Sequence, residues 1–274
     1  MILTFDEIEG IRRALNDNKS EIKISLDLGV SEAVIKIIKG CAVFPDGSKV
    51  DVNKINKIDK KSCYLVHKNK LVKIQMFSRE TNKHYKLVPT KDWSTITISG
   101  VPMHQKTRIT PRQYAVDVTN FDIKGKVLDT CTGLGYTAIL ASKKADKVVT
   151  VEYDDNIIEI AKLNPYSKEL FTNKKIEMIR GDVKNAVKNF KNNEFDIVIH
   201  DPPTFKLAGE LYGREFYKQL YRVLKINGKL FHYTGRIGIW VGRRFIDEVI
   251  KRLKEIGFKD IKKVMDEQAV ICKK

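Results

Sequence analysis

At 274 residues the chain can bury a full hydrophobic core, and one large domain with a small one is expected. Its 51 Lys and Arg residues against 34 Asp and Glu residues give a net charge of +17, which favours a polyanion such as RNA or DNA as partner. No apolar stretch is long enough to span a bilayer and the first residues do not resemble a signal peptide, so we expect a cytoplasmic protein without membrane contact.

The four cysteines, Cys41, Cys63, Cys131 and Cys272, are scattered through the chain and form no C-x-x-C pair. Neither a zinc site nor a disulfide framework is indicated. We therefore expect reduced thiols and no bound metal. The sequence predicts no particular oligomeric state.

Residues 1–105 are predicted to form a small β-rich domain that could bind substrate or RNA. Thr4 and Glu7 have the spacing of a capping box before an amphipathic helix. Alternating apolar runs follow, separated by turn signals, and indicate antiparallel strands. They lie at 21–26, 33–38, 63–66, 71–77, 85–88 and 95–99.

Basic and aromatic residues are frequent in the second half of this domain. Seven lysines between Lys54 and Lys73 lie near Tyr64, Phe77, Arg79 and His84. Such a set could form a basic face with aromatic side chains for RNA. Charged residues on the wet face of a half-exposed sheet are an equally good interpretation.

Residues 106–274 are predicted to form an α/β domain. Strands are expected near 126–130, 147–152, 175–180, 195–200, 228–233, 258–264 and 268–273. Helical segments lie between most of them, which is typical of a mainly parallel sheet with helices on both faces. The last two strands are predicted to form an antiparallel hairpin, completing a seven-stranded sheet.

The first strand of this domain leads into a glycine turn. Val127 and Leu128 predict a buried strand ending at Asp129, and Gly133 and Gly135 allow the backbone to approach a ligand before a helix begins at Tyr136. The same turn also fits the G-x-G-x-x-A form of the dinucleotide fingerprint. Asp129 lies four residues before Gly133, and this acid favours a nucleoside ligand other than a dinucleotide.

Further acids follow later strands. Glu152, Asp182 and Asp201 join Asp129 at predicted carboxyl ends of strands, where open α/β sheets bind ligands. Asp182 could equally be a helix N-cap. His232 is predicted to point to the same edge.

These motifs resemble class I S-adenosylmethionine-dependent methyltransferases, and the chain is similar to uncharacterised archaeal-type members of that class. The resemblance covers residues 107–274 and implies a Rossmann-like methyltransferase sheet with S-adenosylmethionine as cofactor. It also implies a set of cofactor-binding residues. These are Asp129, Thr130, Gly133, Gly135, Tyr136, Glu152, Tyr153, Asp182, Val183 and Asp201.

Asp201-Pro202-Pro203-Thr204-Phe205 is similar to the Asp/Asn-Pro-Pro-aromatic motif of enzymes that methylate a base nitrogen. The resemblance implies that the carboxylate and backbone carbonyls hold the amine while Phe205 stacks on the base, so Asp201, Pro202, Pro203 and Phe205 would be catalytic. The family places its aromatic residue directly after the second proline, where this chain has Thr204. The implied reaction is N-methylation of a base in RNA, such as tRNA or rRNA.

Two other functions fit parts of the pattern. A polyamine aminopropyltransferase uses a similar donor on the same fold, although a basic protein suits a cationic amine poorly and such a site would need more acids than Asp201. A non-catalytic RNA-binding module that keeps the fold is the other alternative.

Overall fold

The computed structural model describes residues 1–54, 57–104, 109–235, 239–265 and 268–274, with only the backbone of residue 53 and residues 239–244. The chain divides into two compact units. The N-terminal unit comprises Met1–Tyr114 and Asn156–Lys168, and the sheet unit comprises Ala115–Asp155 and Glu169–Lys274. The predicted domain boundary between residues 105 and 106 lies outside the described residues.

The first half of the chain contains short strands and one long helix. Its elements are β1 (Ile2–Leu3), α1 (Phe5–Asn16), β2 (Glu21–Leu26), β3 (Ser31–Ile38), β4 (Cys41–Val43), β5 (Lys49–Val50), β6 (Tyr64–His67), β7 (Lys70–Lys73), β8 (Gln75–Ser78), β9 (Lys83–Val88), β10 (Thr95–Ile98), β11 (Val101–Pro102) and α2 (Pro111–Val118). The strands form three antiparallel sheets, with orders β2-β3-β4-β5, β1-β6-β7 and β11-β10-β9-β8. The expected β-rich character of this region is confirmed.

Helix α1 begins where the capping signal predicts. The Glu7 carboxylate accepts hydrogen bonds from the Thr4 backbone amide at 2.8 Å and from the Thr4 hydroxyl at 2.5 Å. The helix then buries Ile8 and Ile11 in the core of the N-terminal unit, where Ile35 of β3 also lies. Apolar residues three and four positions apart share one face of a helix, which explains this packing.

The second half of the chain alternates strands and helices. Its elements are β12 (Lys126–Asp129), α3 (Tyr136–Ser142), β13 (Lys147–Glu152), α4 (Asp155–Leu163), α5 (Lys168–Thr172), β14 (Ile176–Arg180), α6 (Val183–Ala186), β15 (Phe195–His200), α7 (Phe205–Ala208), α8 (Arg214–Val223), β16 (Leu224–Tyr233), α9 (Ile239–Ile256), β17 (Lys259–Val264) and β18 (Ala269–Lys273). Short 3-10 helices lie at Asp27–Gly29, Val52–Lys54, Pro165–Ser167, Val187–Asn189 and Gly209–Tyr212.

The seven strands of the sheet unit have the order β14-β13-β12-β15-β16-β18-β17. Neighbours from β14 to β16 are parallel, whereas β18 is antiparallel to both β16 and β17. The predicted seven-stranded, mainly parallel sheet with its final hairpin is therefore confirmed. Val127 and Leu128 are fully buried in β12, as expected for a strand covered on both faces.

Strand β12 pairs with β13 on one side and with β15 on the other. The chain thus leaves β12 in one direction and returns later on the opposite side, which opens a crevice beyond the carboxyl ends of β12 and β15. Asp129 ends β12, and Asp201 follows directly after β15. The topology therefore brings the loops of these two acids to one place.

Within the described ranges, none of the helices combines the length and apolar character that a membrane span requires. Cys41, Cys63, Cys131 and Cys272 are all free thiols.

Candidate active site

Asp129 lies at the centre of the candidate site. Its side chain is fully buried, and Oδ2 accepts a hydrogen bond from the Thr150 hydroxyl at 2.9 Å. Oδ1 is buried without a hydrogen-bond partner. Burial raises the pKa of Asp129 to about 8, and the nearby Asp201 and Glu152 carboxyl groups add to the rise against the opposing Thr150 and Cys131 contacts. A buried carboxyl group with an unused oxygen is a ready acceptor for a cationic ligand.

Glu152 ends β13 and faces the glycine loop. Its two carboxylate oxygens accept hydrogen bonds from the backbone amides of Asp154 at 2.9 Å and Gly133 at 2.8 Å. Burial raises the pKa of Glu152 to about 7, partly offset by these amides. The adjoining Tyr153, also predicted to contact the cofactor, is 76% exposed. Glu152 thus holds the turn after β12 in place.

The glycine turn has the left-handed backbone that its sequence predicts, with φ of 54° at Gly133 and 78° at Gly135. The space beside Gly135 is filled by protein, because an added Cβ would lie 2.7 Å from Leu170 Cδ2. Gly135 therefore serves close packing of the turn against α5. Tyr136 begins α3 and is buried.

Asp182 follows β14 and caps α6. Its Oδ1 accepts a hydrogen bond from the Lys184 amide at 2.8 Å, and Oδ2 lies 3.4 Å from Lys184 Nζ. Asp182 thus acts as the N-cap of α6, which was one of the two interpretations of this residue from the sequence. Val183, the first residue of α6, is buried in the main core of the sheet unit.

The proline-stiffened segment begins directly after β15. Asp201 is half-buried, Pro202 is buried and Pro203 is exposed. The Pro203 carbonyl accepts a hydrogen bond from the Tyr212 hydroxyl at 3.0 Å, which occupies one of its two lone pairs. Phe205 packs edge-to-face on Tyr212 at 5.6 Å between ring centroids. The ring expected to stack on a base thus contacts Tyr212.

Two buried histidines connect these loops. His200 Nε2 lies 3.0 Å from the Leu211 carbonyl, which can only accept, so Nε2 carries the proton and Nδ1 accepts from the Thr130 hydroxyl at 2.8 Å. His232 Nδ1 donates to the His200 carbonyl at 3.2 Å, and its Nε2 accepts from the Tyr217 hydroxyl at 2.8 Å. The two imidazole rings are 4.5 Å apart.

Burial keeps both imidazoles neutral. It lowers the pKa of His200 well below its usual value, with the neighbouring His232 adding to the effect, and it lowers the pKa of His232 to about 4. We name Thr130, His200, His232 and Tyr217 the histidine network. Of these, the sequence placed His232 at the correct edge of the sheet but gave no role to His200 or Tyr217. The one sequence signal for His200 is a histidine at the end of a strand that is apolar from Ile197 to Ile199, directly before Asp201.

The unpartnered Oδ1 of Asp129 can accept a hydrogen bond from a cationic group of a ligand. Each Glu152 oxygen accepts one backbone amide and keeps a second lone pair that can accept from a ligand hydroxyl. Within the described residues, no cluster of three or more His, Cys, Asp or Glu side chains is arranged to hold a metal ion.

Comparisons with known proteins agree with the seven-stranded α/β fold described above. The model of the spermine/spermidine synthase domain matches residues 126–266. An uncharacterised protein of Methanocaldococcus jannaschii, MJ1233, is 40% identical over all of this chain and 97% of its own length. A polyamine aminopropyltransferase of Clostridium kluyveri is 31% identical over 51% of this chain and 48% of that protein.

Two further similarities are more distant. A ribosomal RNA small subunit methyltransferase C of Buchnera aphidicola is 26% identical over 69% of this chain and 54% of that protein. This chain thus spans about half the length of the methyltransferase and of the aminopropyltransferase. A solved spermidine synthase of Thermotoga maritima shares the fold, with a TM-score of 0.58, 17% identity, and coverage of 92% of this chain and 78% of that one.

Proposed function

We propose that this chain, which belongs to the spermine/spermidine synthase domain family, transfers an aminopropyl group from a decarboxylated S-adenosylmethionine-type donor to an amine nitrogen. The observation that carries the proposal is the surroundings of Asp129. Its unpartnered Oδ1 lies in a buried environment where Asp201 and Glu152 are the charged groups that raise its pKa. This is the aminopropyltransferase alternative from the sequence, and the closeness of Asp201 and Glu152 to Asp129 supports it.

The acids favour a donor whose tail carries only positive charge. S-adenosylmethionine ends in both an ammonium and a carboxylate. The carboxylate would be repelled by Asp201, and by Asp129 once the ammonium has drawn that carboxyl group into its ionised form. The decarboxylated donor keeps the ammonium and lacks the repelled group. Opposite charges attract more strongly in a buried site than in water, so this difference favours the decarboxylated donor.

The acceptor is proposed to be an aliphatic amine held at Asp201. The amine must lose a proton to expose its lone pair, and the Asp201 carboxylate can take that proton. The nitrogen then attacks the carbon bound to sulfur. A C–N bond forms, the C–S bond breaks with its electron pair going to sulfur, and a neutral thioether leaves. The nitrogen becomes positively charged, and the carboxylates stabilise this charge.

N-methylation of an RNA base is the second candidate, favoured by Asp201-Pro202-Pro203 and by the net charge of +17. Its proposed grip on a base amine depends on carbonyl acceptors near Asp201. In this structure the Pro203 carbonyl already accepts from Tyr212, and Phe205 packs on the same ring. With one lone pair of that carbonyl and part of the Phe205 ring already engaged, we take amine transfer as the first candidate.

Labelled donors test the proposal. The protein is incubated with either decarboxylated S-adenosylmethionine or S-adenosylmethionine, together with aliphatic di- and triamines or with unmodified RNA. We expect label to enter the amine fraction from the decarboxylated donor only. Label in RNA from S-adenosylmethionine would overturn the proposal in favour of base methylation, and no transfer from either donor would overturn both.

Asp201→Asn separates the two reactions further. An amide oxygen can still accept a hydrogen bond from a base amine, but it cannot take a proton from an ammonium group. We expect the variant to lose aminopropyl transfer by about 100-fold or more. The matched control is Glu215→Gln, an exposed acid on α8. Full activity in Asp201→Asn would contradict the assigned role.

A further inference from the structure

The basic charge of the chain is concentrated in one sequence region. Residues 51–114 contain 14 Lys and Arg residues and only 4 Asp and Glu residues, whereas residues 1–50 contain 7 and 8. Residues 51–114 include the sheets β1-β6-β7 and β11-β10-β9-β8 apart from β1. This half of the N-terminal unit therefore has the charge that attracts polyanions.

Strands β7 and β8 are separated only by Ile74, and side chains along this segment alternate between core and solvent. Ile74 and Ser78 are buried, whereas Gln75, Phe77 and Arg79 are exposed. Since β8 is an edge strand, the row of exposed side chains formed by Gln75, Phe77 and Arg79 lies at the border of its sheet. The row thus presents amide, aromatic and guanidinium groups in succession.

Strand β9 extends this row across the sheet. His84 pairs directly with Phe77, and Lys86 pairs with Gln75, so each pair shares a face. The Nζ atoms of Lys73 and Lys86 lie 3.6 and 3.4 Å from Asp59 Oδ2. One carboxylate therefore balances two lysines, and this group of three side chains keeps a net positive charge. We name these outward residues the β8–β9 strip. Its members are Lys73, Gln75, Phe77, Arg79, His84 and Lys86.

Phe77 distinguishes the strip from an ordinary charged surface. Phe77 is 59% exposed, although burial of a phenylalanine side chain is favourable. Tyr64, which the sequence placed among the candidate aromatic residues, is buried and its hydroxyl accepts from the Asp59 amide at 2.7 Å. Of these two aromatic residues, Phe77 is therefore accessible to a ligand and Tyr64 is not.

We propose that the β8–β9 strip binds single-stranded RNA. An unpaired base can stack on Phe77, Arg79 and Lys73 can contact phosphates on either side, and the Gln75 amide can both donate to and accept from a ribose 2′-hydroxyl. A base-paired duplex has its base faces covered, so it cannot use the Phe77 ring. The inference rests on the N-terminal unit alone and is independent of the proposed transfer reaction.

Fluorescence anisotropy with a labelled 12-nucleotide oligo(U) tests the proposal on the full chain. We expect binding that weakens with salt, and a roughly tenfold or greater loss of affinity in Phe77→Ala, as for one lost base stack. Phe77→Tyr should restore binding because it keeps an aromatic face. Phe171→Ala, another partly exposed phenylalanine, is the matched control and should bind like the wild type.

Arg79→Gln tests the phosphate contact. We expect the slope of log affinity against log salt to become less steep by about 0.7, the value for one lost phosphate contact on a single strand. Lys36→Gln, an exposed cation on β3, should leave the slope unchanged. Absence of oligo(U) binding, unchanged affinity in Phe77→Ala, or equal affinity for an RNA duplex would each overturn the proposal.

Discussion

The Thr130 hydroxyl donates a hydrogen bond to His200 Nδ1 over 2.8 Å, between two fully buried side chains. Thr130 directly follows Asp129, and His200 directly precedes Asp201. The bond therefore ties the loop after β12 to the loop after β15, and so sets the separation of the two acids. A buried polar bond specifies such a geometry because no water can replace a lost partner.

Thr130→Val tests this connection, because valine keeps the shape of threonine without the donor. His200 Nδ1 would then be buried and unpaired, which should lower the free energy of unfolding by about 1–3 kcal/mol. If the bond positions Asp201, kcat for amine transfer should fall severalfold with little change in the donor KM. Urea unfolding and steady-state kinetics measure the two effects.

Thr130→Ser retains the hydroxyl and should recover both stability and kcat. A purely structural role predicts a different result, in which Thr130→Val loses stability but keeps wild-type kinetics at a temperature where it is fully folded. That outcome would remove the positioning role of the histidine network.

Asp129 is expected to make the ligand-free protein less stable as pH rises. Its folded pKa of about 8 lies above the ordinary value of 3.8, so its contribution is complete below about pH 4 and is lost as pH increases through 8. The slope should reach about 1.4 kcal/mol per pH unit. Glu152, with a pKa raised to about 7, adds to this slope up to that pH.

Asp129→Asn cannot titrate and should remove the Asp129 part of the slope, measured by urea unfolding between pH 5 and 8.5. Glu152→Gln should remove only the part below about pH 7. A cationic donor favours the ionised carboxylate, so donor binding should release a proton and strengthen as pH rises from 6 to 8. Calorimetry in two buffers detects that proton, and an unchanged slope in Asp129→Asn would contradict the buried carboxyl group described here.

The sequence predicted those parts of the site that depend on local pattern. The strand ending at Asp129 and the acids after later strands follow from apolar periodicity and from the rule that ligands bind at carboxyl ends. The contacts of His200 with Thr130 and of Tyr212 with Pro203 were not predicted, because they join residues brought together only by packing. Gly135 was assigned to ligand clearance, whereas the neighbour that requires glycine is Leu170.

Tyr212→Phe distinguishes the two candidate reactions. The variant removes the hydrogen bond to the Pro203 carbonyl while keeping the ring that packs on Phe205. Loss of one hydrogen bond should cost about 0.5–1.5 kcal/mol of unfolding free energy. For amine transfer we expect a looser acceptor loop and a raised amine KM, whereas for base methylation the freed carbonyl should increase RNA methylation.

Tyr221→Phe is the control, since this tyrosine lies on α8 beside Phe258 and Lys274. Both activities are measured for each variant with the labelled donors. An increase in RNA label in Tyr212→Phe would favour the methylation alternative, and an unchanged amine KM would show that the Tyr212 hydroxyl does not position the acceptor loop.

The contact between Gly135 and Leu170 predicts a stability cost with two separable parts. In Gly135→Ala the new Cβ would lie 2.7 Å from Leu170 Cδ2 at a φ of 78°. Gly40 has nearly the same φ, 76°, with no atom within 4 Å of its Cβ position, so Gly40→Ala reports the backbone cost alone. We expect about 1–2 kcal/mol for Gly40→Ala and a clearly larger loss for Gly135→Ala. In the Leu170→Ala background the clash is absent, so Gly135→Ala should lower the free energy of unfolding by no more than Gly40→Ala does. If Gly135→Ala lowered it equally in the wild-type and Leu170→Ala backgrounds, the packing role would be contradicted.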